Sequence, residues 1–117
     1  MKYRFINNEE QSEYEIDFVS KNEYQFSFRD PKYNNILTSI ILIDDRWIKI
    51  IRHSDPLIEL NLKKNVIIKH NYPIEKYHLT IHTKCIEITK TDFCLSFKYL
   101  IYINHKKENQ ISLHFEW

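Results

Sequence analysis

The side chains of this chain that most readily do chemistry are its six histidines and two cysteines. His78 and His82 share one strand parity, but four residues along a strand separate them by about 13 Å, which is too far for one zinc ion. Neither a CxxC nor an HExxH spacing occurs. Cys85 and Cys94 can face each other across a hairpin, yet two thiols do not complete a metal site. The sequence therefore predicts no metal and no cofactor.

Nucleophilic catalysis needs a base beside the nucleophile, and the sequence places none there. Cys94 and Ser96 share the polar parity of one predicted strand, without a histidine or carboxylate that the sequence assigns to either. Asp44 and Asp45 are neighbours in a predicted turn, where their side chains point apart. The chain has no glycine, which excludes a glycine-rich phosphate loop and a glycine-supported nucleophile turn. We predict a non-enzymatic protein and assign no residue a catalytic role.

The charge balance argues against a dedicated nucleic-acid binder. The chain carries 17 basic and 16 acidic residues, a net charge of +1, whereas such proteins usually show a strongly basic face. A lysine-rich stretch interleaved with Tyr72 and Tyr77 is the best candidate, because cations neutralise phosphates and aromatic rings stack bases. Lysines at turns and edges also protect sheets from aggregation. Weak RNA binding is thus an alternative, and its residues are Lys63, Lys64, Lys69 and Lys76.

The elements that position all these residues are β-strands. Apolar residues alternate with polar ones through 77–83, 93–103 and 111–117, and a period of two predicts a strand with one buried face. A polar break is expected at 71–73 around a proline. Because the chain lacks glycine, asparagine is expected at turn positions with left-handed backbone. The predicted strands are 2–7, 13–18, 24–29, 36–43, 46–53, 57–62, 66–69, 76–83, 85–89, 92–104 and 110–117.

These strands predict one all-β domain spanning residues 1–117. Many short strands joined by short turns rarely remain an open flat sheet. Closure into an antiparallel up-and-down barrel of roughly 8–10 strands removes exposed edges and encloses the apolar faces. A two-sheet sandwich is the alternative.

The order of features resembles that of the YwiB-like proteins, which are small, uncharacterised bacterial proteins. The resemblance rests on the 24–28 hairpin followed by Asp30, on Arg52 at a strand end, on Tyr72-Pro73 before the 77–83 strand, and on the strand 95–99. It implies a calycin-type, lipocalin-like β-barrel with no established activity.

The barrel interior is the most promising place for a ligand. Arg52 follows an apolar run, and a partly buried guanidinium near a barrel mouth needs an acceptor. That acceptor is a ligand carboxylate, or else Asp30, Asp44 or a backbone carbonyl. We predict binding of a small, partly apolar molecule, and on this hypothesis Arg52→Ala weakens binding far more than folding. The predicted ligand-binding residues are Arg52, Tyr72, Thr83 and Tyr99.

A filled barrel acting as a protein–protein interaction module is the alternative function. Trp117 then either closes the barrel or contributes to a homodimer contact. No apolar run approaches the ~20 residues that cross a membrane, and no apolar core or cleavage site follows Lys2 and Arg4. We therefore predict a cytoplasmic protein with two free thiols and no membrane partner.

Overall fold

The computed structural model describes the backbone of residues 1–74, 77–104 and 106–117, and their side chains except 72–74, 77–78 and 107–108. This part of the chain contains eleven strands and a short 3-10 turn, Pro31–Tyr33. The strands are β1 Lys2–Asn7, β2 Glu10–Glu15, β3 Phe18–Lys21, β4 Gln25–Asp30, β5 Ile36–Asp44, β6 Trp47–Arg52, β7 Ile58–Lys63, β8 Ile67–Ile74, β9 Tyr77–Lys90, β10 Cys94–Ile103 and β11 Lys106–Glu116.

The strands form two antiparallel sheets, which confirms the all-β prediction. The six-stranded sheet has the order β2-β1-β11-β10-β9-β8, and the five-stranded sheet has the order β3-β4-β5-β6-β7. Neighbouring strands follow one another in sequence, except where β1 pairs with β11. The chain is therefore a meander that changes sheet after β2 and after β7.

Asparagine occupies the turn positions that usually take glycine, as predicted. In the described part of the chain, every residue with a left-handed backbone is an asparagine, with φ between 50° and 61°. Asn tolerates this region because its short polar side chain forms local hydrogen bonds. The five positions are Asn8, Asn34, Asn35, Asn65 and Asn104.

The predicted strand 13–18 is wrong as a single element. The chain leaves the six-stranded sheet after Glu15 and enters the five-stranded sheet at Phe18. The Ile16 amide meanwhile donates to the Met1 carbonyl. Tyr14, Ile16 and Phe18 all contact the same core. Their apolar alternation therefore continues across the change of sheet, and periodicity alone cannot locate that change.

Two further boundaries differ for local reasons. The predicted break at 71–73 lies inside β8, which is an edge strand, the position in a sheet that accommodates proline. The predicted strands 76–83 and 85–89 are one strand, β9. Its register against β10 shifts between Cys85 and Glu87, and this bulge lets Ile88 contact the core although its parity has changed.

The core between the sheets is dense in aromatic rings. Phe115 lies at its centre with no solvent exposure. Its ring stacks on Tyr3 at 4.9 Å and meets the edges of Phe26 and Phe28 at 4.9 and 5.3 Å. These separations are typical of favourable aromatic pairs. The aromatic residues of both sheets therefore fill this part of the interior themselves.

Candidate functional site

Arg52 forms a buried ion pair with Asp30. The two residues end β6 and β4, and both strands pair with the first half of β5, so the fold brings them together. Arg52 Nη1 lies 3.0 Å from Asp30 Oδ2, and the residues are 6% and 0% exposed. Of the acceptors that the sequence allowed, the one that Arg52 contacts is thus Asp30.

Protein groups occupy both oxygens of the Asp30 carboxylate. The Lys32 amide donates to Oδ1 at 2.9 Å, which caps the 3-10 turn, and the Tyr3 hydroxyl donates to Oδ2 at 3.3 Å. Arg52 also donates to the Thr38 hydroxyl at 3.2 Å. A buried ion pair with such additional hydrogen bonds compensates part of its desolvation cost. We name these residues, together with Tyr33, the Arg52 cluster.

Aromatic groups cover this cluster. The Arg52 guanidinium carbon lies 3.7 Å from the centre of the Tyr33 ring, a close cation–π contact. Burial raises the pKa of Tyr99 far above its ordinary 10.0, and the neighbouring Tyr33 and Asp30 raise it further while Arg52 opposes them. Tyr99 is therefore a neutral phenol that interacts electrostatically with Arg52.

Thr83 lies on the same inner face of the six-stranded sheet as Tyr99, since Cys85, two residues further along β9, pairs directly with Tyr99. It is fully buried on β9, where its hydroxyl donates to the Asn61 carbonyl on β7 at 2.7 Å. The side chain of Tyr72 lies outside the described residues. The Thr83 hydroxyl is thus bonded within the protein, and a ligand site shared by the four predicted residues stays a prediction.

A histidine completes this junction between β7 and the six-stranded sheet. The Asn61 amide donates to His70 Nε2 at 2.9 Å, so that nitrogen carries no proton, and Nδ1 is left to donate to the Ile81 carbonyl at 3.4 Å. Burial lowers the pKa of His70, and the nearby His82 lowers it further, whereas the Ile81 carbonyl and Glu59 oppose the change. The junction therefore requires neutral His70.

Acid is expected to weaken the junction through His70. Because the pKa of His70 is lowered from 6.5 on folding, its contribution to stability is fully present above that value and is lost as pH falls through the folded-state pKa. Urea unfolding at about pH 7.5 and about pH 5 measures this loss. His70→Gln, whose amide oxygen can accept the Asn61 N–H, should depend less on pH than the parent protein. His53→Gln is the control at an exposed histidine and should keep the pH dependence of the parent protein. If the free energy of unfolding changed equally with pH in all three proteins, His70 would not be the group responsible.

The lysines of the predicted RNA-binding stretch lie on both sheets. Lys63 Nζ sits 4.1 Å from the centre of the Trp47 ring at the end of β7. Lys64 forms an isolated backbone bridge with Cys85. Lys69 is exposed on the edge strand β8, and Lys76 lies outside the described residues. RNA binding by this stretch stays a prediction.

Trp117 closes one end of the core. Its ring contacts Phe26 at 5.7 Å, its indole N–H donates to the Asp92 carbonyl at 2.9 Å, and its amide donates to the Phe93 carbonyl. The ammonium group of Lys21 lies 4.4 Å from the centre of the Trp117 ring. The last residue therefore links the β9–β10 turn to the β3–β4 hairpin.

A groove of 230 Å³ opens beside Trp117, and we name it the Trp117 groove. Its lining combines apolar rings and chains with charged groups: Phe26, Leu42, Trp117, Lys21, Lys90 and Asp92. Tyr24 lines the groove and is 60% exposed. Phe93, predicted on the buried face of its strand, is 72% exposed because it lies in the turn before β10. Because Glu23 also lines the groove, this end of the molecule presents apolar surface together with charges of both signs.

A second constellation on the outer face of the six-stranded sheet was missed by sequence reasoning. Ser96 on β10 pairs directly with His114 on β11, and their Oγ and Nδ1 atoms share a hydrogen bond. His114 Nε2 lies 3.7 Å from Glu116 Oε2. The only sequence signal was the shared polar parity of the two strands, since their register is set by the fold. The base that seemed absent beside Ser96 is therefore present.

The cysteines do not form a disulfide: both are free thiols, as expected. Cys85 is buried, and burial raises the pKa of its thiol to about 11. Among the described residues, no group of three or more histidine, cysteine, aspartate or glutamate side chains is placed to hold a metal ion. No helix long and apolar enough to span a bilayer occurs in the same part of the chain.

Comparison with protein-family models, curated proteins and solved structures found no match to this chain. The resemblance to the YwiB-like proteins therefore stays a prediction.

Proposed function

We propose that this chain is a lipocalin-like up-and-down barrel of the YwiB-like type that binds a small, partly apolar molecule without turning it over. The sequential order of the strands and the pairing of β1 with β11 support one continuous barrel. So do the links between the sheets, in which Asn61 contacts both His70 and Thr83. The free thiols of Cys85 and Cys94 support a cytoplasmic location.

The observation that carries ligand binding is the Trp117 groove. Binding sites are concave, mostly apolar and equipped with a few polar groups that fix orientation. This groove joins the rings of Phe26 and Trp117 to charged groups, which are the cations of Lys21 and Lys90 and the carboxylates of Glu23 and Asp92. Its volume of 230 Å³ lies below the range of about 300–1,000 Å³ that suits drug-sized molecules. We propose a small ligand with an apolar body and a negative group.

In this proposal the Arg52 cluster supports the barrel rather than anchoring the ligand directly. Arg52 already has Asp30 as its partner, so a ligand carboxylate would have to displace a buried carboxylate of the protein. Lys21 lies at the groove and offers a positive charge without that cost. The negative group of the ligand is therefore placed at Lys21 and Lys90.

Phenylacetate, a small apolar carboxylate, is expected to bind in the Trp117 groove. The chain has two tryptophans, so a ¹H–¹⁵N spectrum reports the indole N–H groups of Trp117 and Trp47 separately. Phenylacetate should shift the Trp117 resonance in a saturable way and leave Trp47 unchanged, because Trp47 lies on β6, outside the groove. Lys21→Ala should weaken the affinity about fivefold.

Two controls keep this test specific. Benzyl alcohol, which lacks the carboxylate, should bind the parent protein more weakly than phenylacetate does. Its affinity should be the same for the parent protein and for Lys21→Ala. Lys84→Ala removes a lysine of β9 that does not line the groove, and it should bind as the parent does. An unmoved Trp117 resonance, or equal shifts of both indoles, would contradict the proposed site.

A protein–protein interaction module with a filled interior is the second candidate function. The packing of Phe115 among other rings supports a filled interior, and the exposed Phe93 and Tyr24 supply apolar contact surface. Native mass spectrometry distinguishes the candidates: a co-purified small molecule favours ligand binding, and a homodimer that Phe93→Ser dissociates favours the interaction module. RNA binding through Lys63, Lys64, Lys69 and Lys76 would show as affinity that falls steeply with salt.

A further inference from the structure

The outer face of the six-stranded sheet carries a serine, a histidine and a carboxylate in the order of a proton-transfer chain. β10 and β11 lie in the interior of that sheet, and Ser96 is the direct partner of His114 in their register. Their inward neighbours Leu95 and Leu113 are buried, so alternation directs Ser96 and His114 outward. Paired strands hold catalytic side chains more accurately than loops do.

The contacts of the imidazole define its tautomer. Glu116 Oε2 lies 3.7 Å from His114 Nε2, and the carboxylate favours a proton on that nitrogen. Nδ1 then has a free lone pair, which accepts the Ser96 hydroxyl proton in the hydrogen bond between them. A nucleophile bonded to a base, with the base oriented by a third group, is the arrangement that activates serine.

A groove with charged groups opens beside the hydroxyl. It has a volume of 240 Å³ and is lined by Ser96 and His114 together with the charged Arg4, Lys98 and Glu87 and the apolar Ile6. Lys98 is opposite Glu87 in the pairing of β10 with β9, and Arg4 donates to Glu13. Cations at the point where negative charge develops stabilise the oxyanion of acyl transfer. The groove is small and open, which suits a short acyl group and a leaving group that needs little assistance.

We propose that Ser96, His114 and Glu116 form an acyl-transfer site that hydrolyses small activated esters, distinct from the Trp117 groove. Ser96 Oγ bonds to the carbonyl carbon while its proton passes to His114 Nδ1, and the carbonyl electron pair moves onto oxygen near Lys98. Collapse breaks the bond to the alcohol oxygen, which leaves with the proton from His114. Water then attacks the acyl-serine, gives a proton to His114, and releases the acid as Ser96 regains its proton.

The test uses the full chain and p-nitrophenyl acetate. Release of nitrophenolate is followed by absorbance, and the acetylated residue is located by peptide mass spectrometry after rapid acid quenching. We expect an acetyl group on Ser96, whose formation Ser96→Ala abolishes and His114→Asn slows by at least about 100-fold. Ser20→Ala is the matched control, because Ser20 is an exposed serine on β3 that does not line this groove, and it should leave the acetylation rate of Ser96 unchanged.

Glu116 acts through His114, so its test is rescue by a conservative variant. In Glu116→Ala the acetylation of Ser96 should slow, and Glu116→Asp, which keeps a carboxylate, should recover part of the lost rate. Urea midpoints equal to the parent value establish that the variants are folded. Acetyl groups found on lysines but not on Ser96, equal rates in the parent protein and His114→Asn, or equal rates in Glu116→Ala and Glu116→Asp would overturn the proposal.

Discussion

Arg52→Ala is expected to lower the free energy of unfolding by about 3–5 kcal/mol, because it leaves the buried Asp30 carboxylate without its counter-charge. Asp30 is fully buried, and its remaining partners are the Tyr3 hydroxyl and the Lys32 amide. The loss of packing against the Tyr33 ring adds to the effect. Urea unfolding followed by circular dichroism measures it as a lower midpoint at an unchanged slope.

The charge-free double variant Asp30→Asn, Arg52→Met is the control for this prediction. Replacing both partners of a buried ion pair with neutral groups often costs little, so the double variant should be clearly more stable than Arg52→Ala. A loss below about 1 kcal/mol in Arg52→Ala, which is usual for exposed pairs, would show that Asp30 does not depend on Arg52. The result also tests the hypothesis that Arg52 anchors the ligand, which predicts that Arg52→Ala weakens binding more than folding.

Phe115→Ala is expected to lower the free energy of unfolding by about 3–5 kcal/mol, the range for replacing a buried phenylalanine of a core by alanine. The ring is fully buried and contacts Tyr3 and Phe97 within its own sheet, and Phe26 and Phe28 across the core. Its removal therefore leaves a cavity between the two sheets. Urea unfolding is again the measurement, with the slope as a check that the transition remains two-state.

Phe93→Ala is the matched control, because it removes the same side chain at a position that is 72% exposed. Surface substitutions usually change stability by about 0.5 kcal/mol or less. The loss in free energy of unfolding should therefore be several-fold larger for Phe115→Ala than for Phe93→Ala. Similar losses for both would contradict the packing of the two sheets around Phe115.

Periodicity predicted those features that depend on a residue and its immediate neighbours. Alternation located β1 at Lys2–Asn7 as observed, and it placed Leu95 and Phe97 on a buried face, because side-chain direction along a strand is a local geometric property. The absence of glycine likewise predicted asparagine at turns such as Asn8 and Asn104.

The contacts of the candidate sites depend on which strands meet, and alternation carries no information about that. The acceptor of Arg52 stayed open in the sequence because Asp30, 22 residues away, reaches it only when β4 and β6 flank β5. Ser96 and His114, 18 residues apart, face each other only in the observed register of β10 and β11, and a shift of one residue would separate them.

The sequence by itself therefore determined an all-β chain with asparagine turns, since strand period and turn chemistry are local. Tertiary structure alone decided that Asp30 partners Arg52, that Thr83 bonds to Asn61 on the other sheet, and that Ser96 has His114 beside it. These contacts join residues from strands distant along the chain, and their formation follows from how the two sheets pack and pair.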